Sequence, residues 1–210
     1  MNDALTLIGI ASALAIGAMS PGPSFVMVAR TAVASSRSDG FHAALGMGIG
    51  GMLFAVAALL GLQTLLIAVP WLYLSIKVLG GAYLAYLGFR IFRGAKEPLA
   101  VPDGDGAPPA KAARSFLLGL GTQISNPKTA IVYASVFAAL LPREVPLSVM
   151  LVLPFVVLLV EAGWYAVVAL VLSSASPRAA YLRYKAWIDR AAGGVMLLLG
   201  LKLAASAREL

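Results

Sequence analysis

The sequence predicts an all-α polytopic membrane protein: six transmembrane helices form two inverted three-helix repeats, and the first and fourth helices are broken. Three observations lead to this prediction. The 210 residues are 60% hydrophobic and 12% charged, with a mean hydropathy of +0.90, whereas a soluble domain is about 25% charged. Six apolar stretches are long enough to cross a bilayer, which takes about 20 residues. Two of these stretches are interrupted by proline among polar residues.

The six predicted spans cover residues 4–33, 41–69, 71–92, 115–141, 146–172 and 187–205. Between the third and fourth lies segment 94–114, whose Pro, Gly, Ala and charged residues are typical of a flexible linker. The predicted domains are therefore a first repeat at 1–93, this linker, and a second repeat at 115–210. Because each repeat has an odd number of spans, the two insert in opposite directions, as in inverted-repeat transporters.

The distribution of positive charge predicts the topology. Most of the 16 lysines and arginines fall on the side of the membrane that holds the linker, and positive charge marks the cytoplasmic side. The linker is therefore predicted to be cytoplasmic and both termini to face outward. The N-terminus lacks a basic signal segment, so the first span is predicted to be retained. Topology explains the net charge, so membrane lipids and not nucleic acid are the expected partners.

The first break consists of Ser20, Pro21, Gly22, Pro23 and Ser24. Each proline removes a backbone donor and clashes with the preceding turn, and the glycine relaxes the backbone. Backbone groups unpaired at membrane depth are tolerated only where protein or a water-filled cavity supplies partners. These five residues are therefore candidates for binding a polar solute.

The second break lies in segment 122–129, where Gln123, Asn126, Pro127 and Lys128 are the candidate binding residues. A charge near the bilayer centre costs at least about 2.5 kcal/mol, so a lysine here needs an explanation. At 1.5 Å per residue, Lys128 lies about 20 Å from the cytoplasmic end of its span. Pro23 lies about 17 Å from the same side, so the two breaks are predicted to share one depth.

Glu161 is the second deep charge, about 17 Å from the cytoplasmic end of the fifth span. Glu161 and Lys128 are predicted to face one central cavity, where they pair with each other or with a zwitterionic solute. Free backbone amides at the helix ends could hold the carboxylate of that solute. A structural ion pair between the fourth and fifth helices is the alternative. Trp164 and Tyr165 follow at i+3 and i+4 and are expected to wall the cavity. Glu161 is also the candidate for carrying a coupling proton: burial favours its protonated form and a nearby lysine opposes it, so its role stays open.

Other residues limit the chemistry. Glycines of the second span, such as Gly46 and Gly50, form a close-packing face, and helix packing within the monomer is favoured over a homodimer seam. Asp39 is interpreted as a solvated residue of the turn after the first span. Because His42 is the single histidine and cysteine is absent, no metal site and no cofactor are predicted.

Four motifs carry a resemblance to a known family: SPGP in the first span, GFHAALGMGIGG in the second, YLAYLGFR in the third and QISNPKTA in the fourth. Together they resemble the LysE/RhtB superfamily of bacterial amino-acid exporters over essentially the whole chain. The resemblance implies efflux of a small amino acid or derivative across the inner membrane, where the outward-facing termini predicted above are periplasmic. The proton gradient is the expected driving force, used in antiport through Glu161. Its motif residues here are Pro21, Gly22, Pro23, Asn126, Pro127 and Lys128. Ser24 stands where such proteins often have Asn, so no single relative's substrate is transferred.

Two other classes of function are alternatives to export. An intramembrane enzyme is disfavoured, because the chain lacks a deep histidine and clustered carboxylates. A channel or a lipid-handling protein is the closer alternative, since either could use the same helix breaks.

Overall fold

The computed structural model describes residues 3–20, 22–68, 70–97, 112–142 and 144–206, and their regular elements are all helical. The α-helices are α1 (Asp3–Met19), α2 (Pro23–Ala34), α3 (Arg37–Ala68), α4 (Pro70–Arg93), α5 (Ala112–Ile124), α6 (Pro127–Leu140), α7 (Leu147–Leu172) and α8 (Ala175–Ser206), with a 3₁₀ turn at Gly94–Lys96. The predicted all-α class is therefore confirmed for this part of the chain.

Both predicted helix breaks are present. Helices α1 and α2 meet at an angle of 63°, and α5 ends at Ile124 before α6 begins at Pro127. At each break a proline occupies the first turn of the following helix, where backbone N–H groups have no helical acceptor in any case. Pro21 lies outside the described residues, so its part in the break stays a prediction.

Among the described helices, length and composition single out two that can cross a bilayer alone, α3 over Arg37–Gly61 and α7. Helices α1 and α2 qualify together as one broken span, and α6 is apolar but shorter. The element order agrees with the six predicted spans, but the six crossings themselves stay a prediction.

Three local predictions need correction. Helix α8 begins at Ala175 and not at 187, because hydropathy marks only the apolar part of a helix, whereas alanine and basic residues extend it. The predicted linker is helical at both ends, in the 3₁₀ turn and at Ala112, and residues 98–111 lie outside the described part. Asp39 is buried and not solvated: its backbone N–H donates to Ser36 Oγ, and its carboxylate accepts hydrogen bonds from the Ser36 and Ser115 hydroxyls.

The glycine faces pack helices against each other within the chain. A Cβ built on Gly88 of α4 would lie 2.5 Å from the carbonyl oxygen of Gly193 in α8. Likewise, Gly46 of α3 touches the backbone of Phe116 in α5. Since a side chain would force these backbones apart, the interpretation as close helix packing within the monomer is confirmed for these faces.

Candidate functional site

The two helix breaks contact each other through side chains. The Lys128 ammonium donates a hydrogen bond to the Ser20 carbonyl oxygen at 2.9 Å, and Asn126 Nδ2 donates to Ser24 Oγ at 2.9 Å. Lys128 and Asn126 belong to the second break, and their partners belong to the first. The residues that sequence patterns assigned to two distant segments therefore form one cluster.

The local geometry of each break explains its residues. Asn126 is the N-cap of α6, and its Oδ1 accepts a hydrogen bond from the Lys128 backbone N–H at 3.0 Å. Gly22 is the N-cap of α2 and supplies no side-chain cap. A Cβ at Gly22 would lie 3.4 Å from Lys128 Nζ, so the glycine gives the ammonium room to approach the first break.

A chain of buried hydrogen bonds runs from the breaks to Glu161. Ser24 Oγ donates to Gln123 Oε1 at 3.0 Å, and Gln123 Nε2 donates to Glu161 Oε2 at 3.1 Å. The Tyr133 hydroxyl donates to the other carboxylate oxygen, Oε1, at 2.9 Å. Glu161 is only 3% exposed, so these two bonds compensate for the solvent that its carboxylate loses.

Lys128 and Glu161 line one cavity without pairing directly. In the part of the chain that the structure describes they form no salt bridge with each other, because each charged group is held by other partners. The alternative of a direct ion pair that locks the fourth and fifth predicted spans is therefore not realised in this conformation.

The central cavity between the breaks is small. Its volume is about 20 Å³, which is close to the space of one water molecule. It is lined by the apolar residues Leu14, Gly17, Ala18, Phe25 and Val132 and by the polar or break residues Ser20, Gly22, Ser24, Asn126, Lys128, Thr129, Tyr133, Glu161 and Tyr165.

A larger cavity, called here the vestibule, leads to the same breaks. Its volume is about 450 Å³, within the range of small-molecule sites. It is lined by Ser20, Gly22, Pro23, Asn126, Pro127 and Lys128 of the breaks and by Tyr83, Leu87, Arg90, Ile91, Gly94, Glu97, Lys185 and Asp189 of the surrounding elements. Because Lys128 lines both cavities, it stands at the boundary between the vestibule and the central cavity.

Glycines of α3 let the polar side chains come together. A Cβ at Gly51 would lie 2.7 Å from the Tyr133 hydroxyl oxygen and 3.0 Å from Glu161 Cγ. A Cβ at Gly50 would lie 2.8 Å from Gln123 Cβ. The second predicted span therefore supplies the flat surface on which the network around Glu161 packs.

The structure also places residues that sequence reasoning missed or located differently. Trp164 lies against a separate cavity of about 30 Å³ near Tyr181, and its neighbour Tyr165 reaches the central cavity instead. Tyr133 carried no sequence signal. Asp189 did: it is an acidic residue inside the predicted span 187–205, where a charge needs explaining.

Comparisons with known proteins agree on one family. The sequence profile described as "LysE type translocator" matches residues 15–207. The Threonine efflux protein of Escherichia coli K12 is 36% identical over 193 residues, covering 90% of this chain and 92% of that protein. The Threonine efflux protein of Salmonella typhimurium is 36% identical over 189 residues, with the same coverage. An uncharacterized membrane protein of Haemophilus influenzae is 33% identical over 187 residues, covering 88% of this chain and 89% of that protein.

No solved structure matches the chain significantly. The family match spans nearly the whole chain, and it includes both helix breaks and Glu161. The protein is accordingly a membrane transport protein and not an enzyme, as the sequence motifs predicted. The chain belongs to the LysE type translocator family.

Proposed function

We propose that this protein exports a small amino acid or amino-acid derivative across the bacterial inner membrane, through the cavity between its two helix breaks. The observation that carries the proposal is the buried chain of hydrogen bonds from Asn126 through Ser24 and Gln123 to Glu161, with the Lys128 ammonium bound beside it to the Ser20 carbonyl oxygen of the first break. An ammonium and a carboxylate at one depth match the two charges of a zwitterion. The relatives named for threonine efflux support an amino acid as the substrate class.

The charged groups suggest how a solute is held. The substrate carboxylate replaces the Ser20 carbonyl oxygen on the Lys128 ammonium, and the substrate ammonium approaches the Glu161 carboxylate. Ser20, Gly22 and Ser24 of the first break and Asn126 of the second line the central cavity, and Gln123 is joined to it through Ser24 and Glu161. Pro21, Pro23 and Pro127 belong to the proposed binding set because they interrupt the helices, whereas Trp164 faces a separate cavity and is not retained. Because the central cavity holds about one water molecule in this conformation, the breaks must separate for a substrate to pass. Substrate binding would favour that separated state.

An inverted repeat is part of the proposal, with repeats at 1–93 and 115–210 and a cytoplasmic linker at 94–114. Its support is the packing of corresponding helices: α3 lies on α7, α4 lies on α8, and the broken pair α1 and α2 contacts the broken pair α5 and α6. A two-fold axis in the membrane plane produces such pairings. Both termini are then periplasmic, and the vestibule, which ends near Arg90 and Gly94, opens to the cytoplasm.

The driving force in this proposal is the proton gradient, used in antiport. Glu161 is the coupling residue, because its carboxylate is buried beside Lys128 and the breaks. A substrate ammonium and a proton would then compete for the same carboxylate. A homodimer in the membrane is part of the proposal, and cross-linking in the membrane tests it.

The test is export from a host that is sensitive to amino acids. The protein is expressed, the host is challenged with amino acids and analogues one at a time, and the tolerated compound is measured outside the cells. We expect tolerance to at least one small amino acid and, in proteoliposomes, saturable flux of that compound with counterflow. Unsaturable flux without counterflow would support a channel instead. Lipid movement without amino-acid flux would support a lipid-handling protein.

A further inference from the structure

The vestibule contains a buried acidic group that the central site does not use. Asp189 is 3% exposed and lines the vestibule. Its Oδ2 accepts a hydrogen bond from the Lys185 ammonium at 2.6 Å. Its Oδ1 is buried and has no hydrogen-bond partner among the described residues. A buried carboxylate oxygen without a donor is costly, so it calls for an explanation.

We infer that Asp189 is a first binding site for the substrate's ammonium group, occupied in the vestibule before the substrate passes Lys128. This inference rests on the proposed function and adds a second substrate site to it. A primary ammonium has three N–H donors, and it supplies the charge-assisted hydrogen bond that Oδ1 lacks. The vestibule, at about 450 Å³, has room for a small amino acid, whereas the central cavity in this conformation does not.

The order of charges from the vestibule inward supports this role. Asp189 lies on α8, Lys128 lies at the boundary of both cavities, and Glu161 lies on α7 beside the central cavity. A zwitterion bound by its ammonium to Asp189 can turn its carboxylate toward Lys128. Inward movement then exchanges one carboxylate partner of the ammonium for another, Asp189 for Glu161. The Lys185 ammonium donates to Oδ2, so Oδ1 is the oxygen left for the substrate ammonium.

A structural role is the alternative, in which Lys185 and Asp189 only join α8 to the turn after α4. Lys185 also lies 3.5 Å from the Ala95 carbonyl oxygen, as such a role requires. The two roles differ in which group matters. A structural pair needs both partners, whereas the ammonium site needs the carboxylate of Asp189 and tolerates loss of the Lys185 charge.

The absence of cysteine from the sequence provides a direct assay. Leu87→Cys places one thiol on the vestibule wall. In detergent, the rate at which a cationic methanethiosulfonate labels this thiol is measured against the concentration of L-threonine. We expect L-threonine to slow labelling. The 2-hydroxy analogue of threonine, which has no ammonium, should protect only weakly.

Four variants in the Leu87→Cys background separate the roles. Asp189→Asn with Lys185→Gln removes both charges, so no uncompensated buried charge remains, and it should raise the half-protecting concentration of L-threonine about tenfold. Lys185→Gln alone and Asp189→Glu alone should each keep protection within about threefold, because the carboxylate is retained. Glu144→Gln changes an exposed carboxylate away from the vestibule and should have no effect.

Equal protection in the double variant and in the parent would overturn the inference. So would a loss of protection in Lys185→Gln equal to that in the double variant, since the pair would then be structural. Failure of L-threonine to protect the parent would overturn it as well. The proposed function is decided separately by flux: protection without transport contradicts the export proposal, and transport without Asp189-dependent protection contradicts only the vestibule site.

Discussion

Gly51→Ala is expected to disable transport although the residue carries no functional group. The added Cβ would lie 2.7 Å from the Tyr133 hydroxyl oxygen and 3.0 Å from Glu161 Cγ. Both atoms belong to buried side chains, so they cannot move away into solvent. A non-bonded contact needs about 3.5 Å, and the hydroxyl must therefore shift by nearly 1 Å, which breaks its 2.9 Å hydrogen bond to Glu161.

The expected magnitude follows from that bond. A hydrogen bond to a charged group contributes about 1.5–3 kcal/mol, so the maximal flux should fall about tenfold or more if the bond positions the carboxylate. Overpacking should lower stability by about 1–3 kcal/mol. Gly61→Ala in the same helix, α3, is the matched control, because a Cβ at Gly61 would meet nothing within 4 Å. It should transport normally.

The assay is amino-acid counterflow in proteoliposomes at equal protein content, with thermal unfolding measured in parallel. A double-mutant cycle adds Tyr133→Phe, which removes the atom that the Cβ meets. Gly51→Ala in the Tyr133→Phe background should cost less than Gly51→Ala alone. Normal flux in Gly51→Ala, or full additivity in the cycle, would refute the reasoning that Gly51 acts through Tyr133 and Glu161.

Three further predictions concern the breaks, the packing and the energy source. Ser24→Ala removes the hydroxyl that accepts from Asn126 Nδ2 and donates to Gln123 Oε1, and it should lower stability by about 1–3 kcal/mol in thermal unfolding; an unchanged transition would show that the link is dispensable. Gly88→Ala drives a Cβ into the backbone of α8 and should reduce the yield of folded protein, whereas Gly194→Ala, which meets nothing within 4 Å, should not; equal yields would contradict the packing account. A protonophore should slow net export in cells but leave counterflow intact, and unaffected export would remove proton coupling.

The helix breaks and the deep charges were predictable from the sequence because each violates a strong local rule. Proline inside an apolar span interrupts backbone hydrogen bonds, and a lysine or glutamate at membrane depth is costly. These two signals located Pro23, Asn126, Lys128 and Glu161. The contacts between the breaks were then expected from their common depth.

The partners of the charges were not predictable, because they depend on the rotation of each helix about its axis. Lys128 binds the Ser20 carbonyl oxygen and not Glu161, and Glu161 binds Gln123 and Tyr133. Tyr133 carries an aromatic ring typical of a membrane helix, so its hydroxyl gave no separate signal. The same rotation brings Tyr165 and not Trp164 to the central cavity.

Helix ends were predictable only where the hydropathy of the sequence changes at the residue where the helix begins or ends. Hydropathy and helix end agree closely in α4 and α7, whereas α8 begins in a basic segment that precedes the predicted sixth span. As a result, Asp189 and Lys185 were not recognised as a buried pair one helical turn apart.

Counterflow of labelled amino acid by Lys128→Met and Glu161→Gln tests the central claim most directly, namely that the two breaks hold the substrate between these residues. Each variant is reconstituted at equal protein content beside the parent protein, and its thermal stability is measured in the same detergent. We expect flux at saturating substrate to fall about tenfold or more while the protein stays folded. Flux equal to that of the parent, with only stability reduced, would contradict the claim and leave the two residues a structural role.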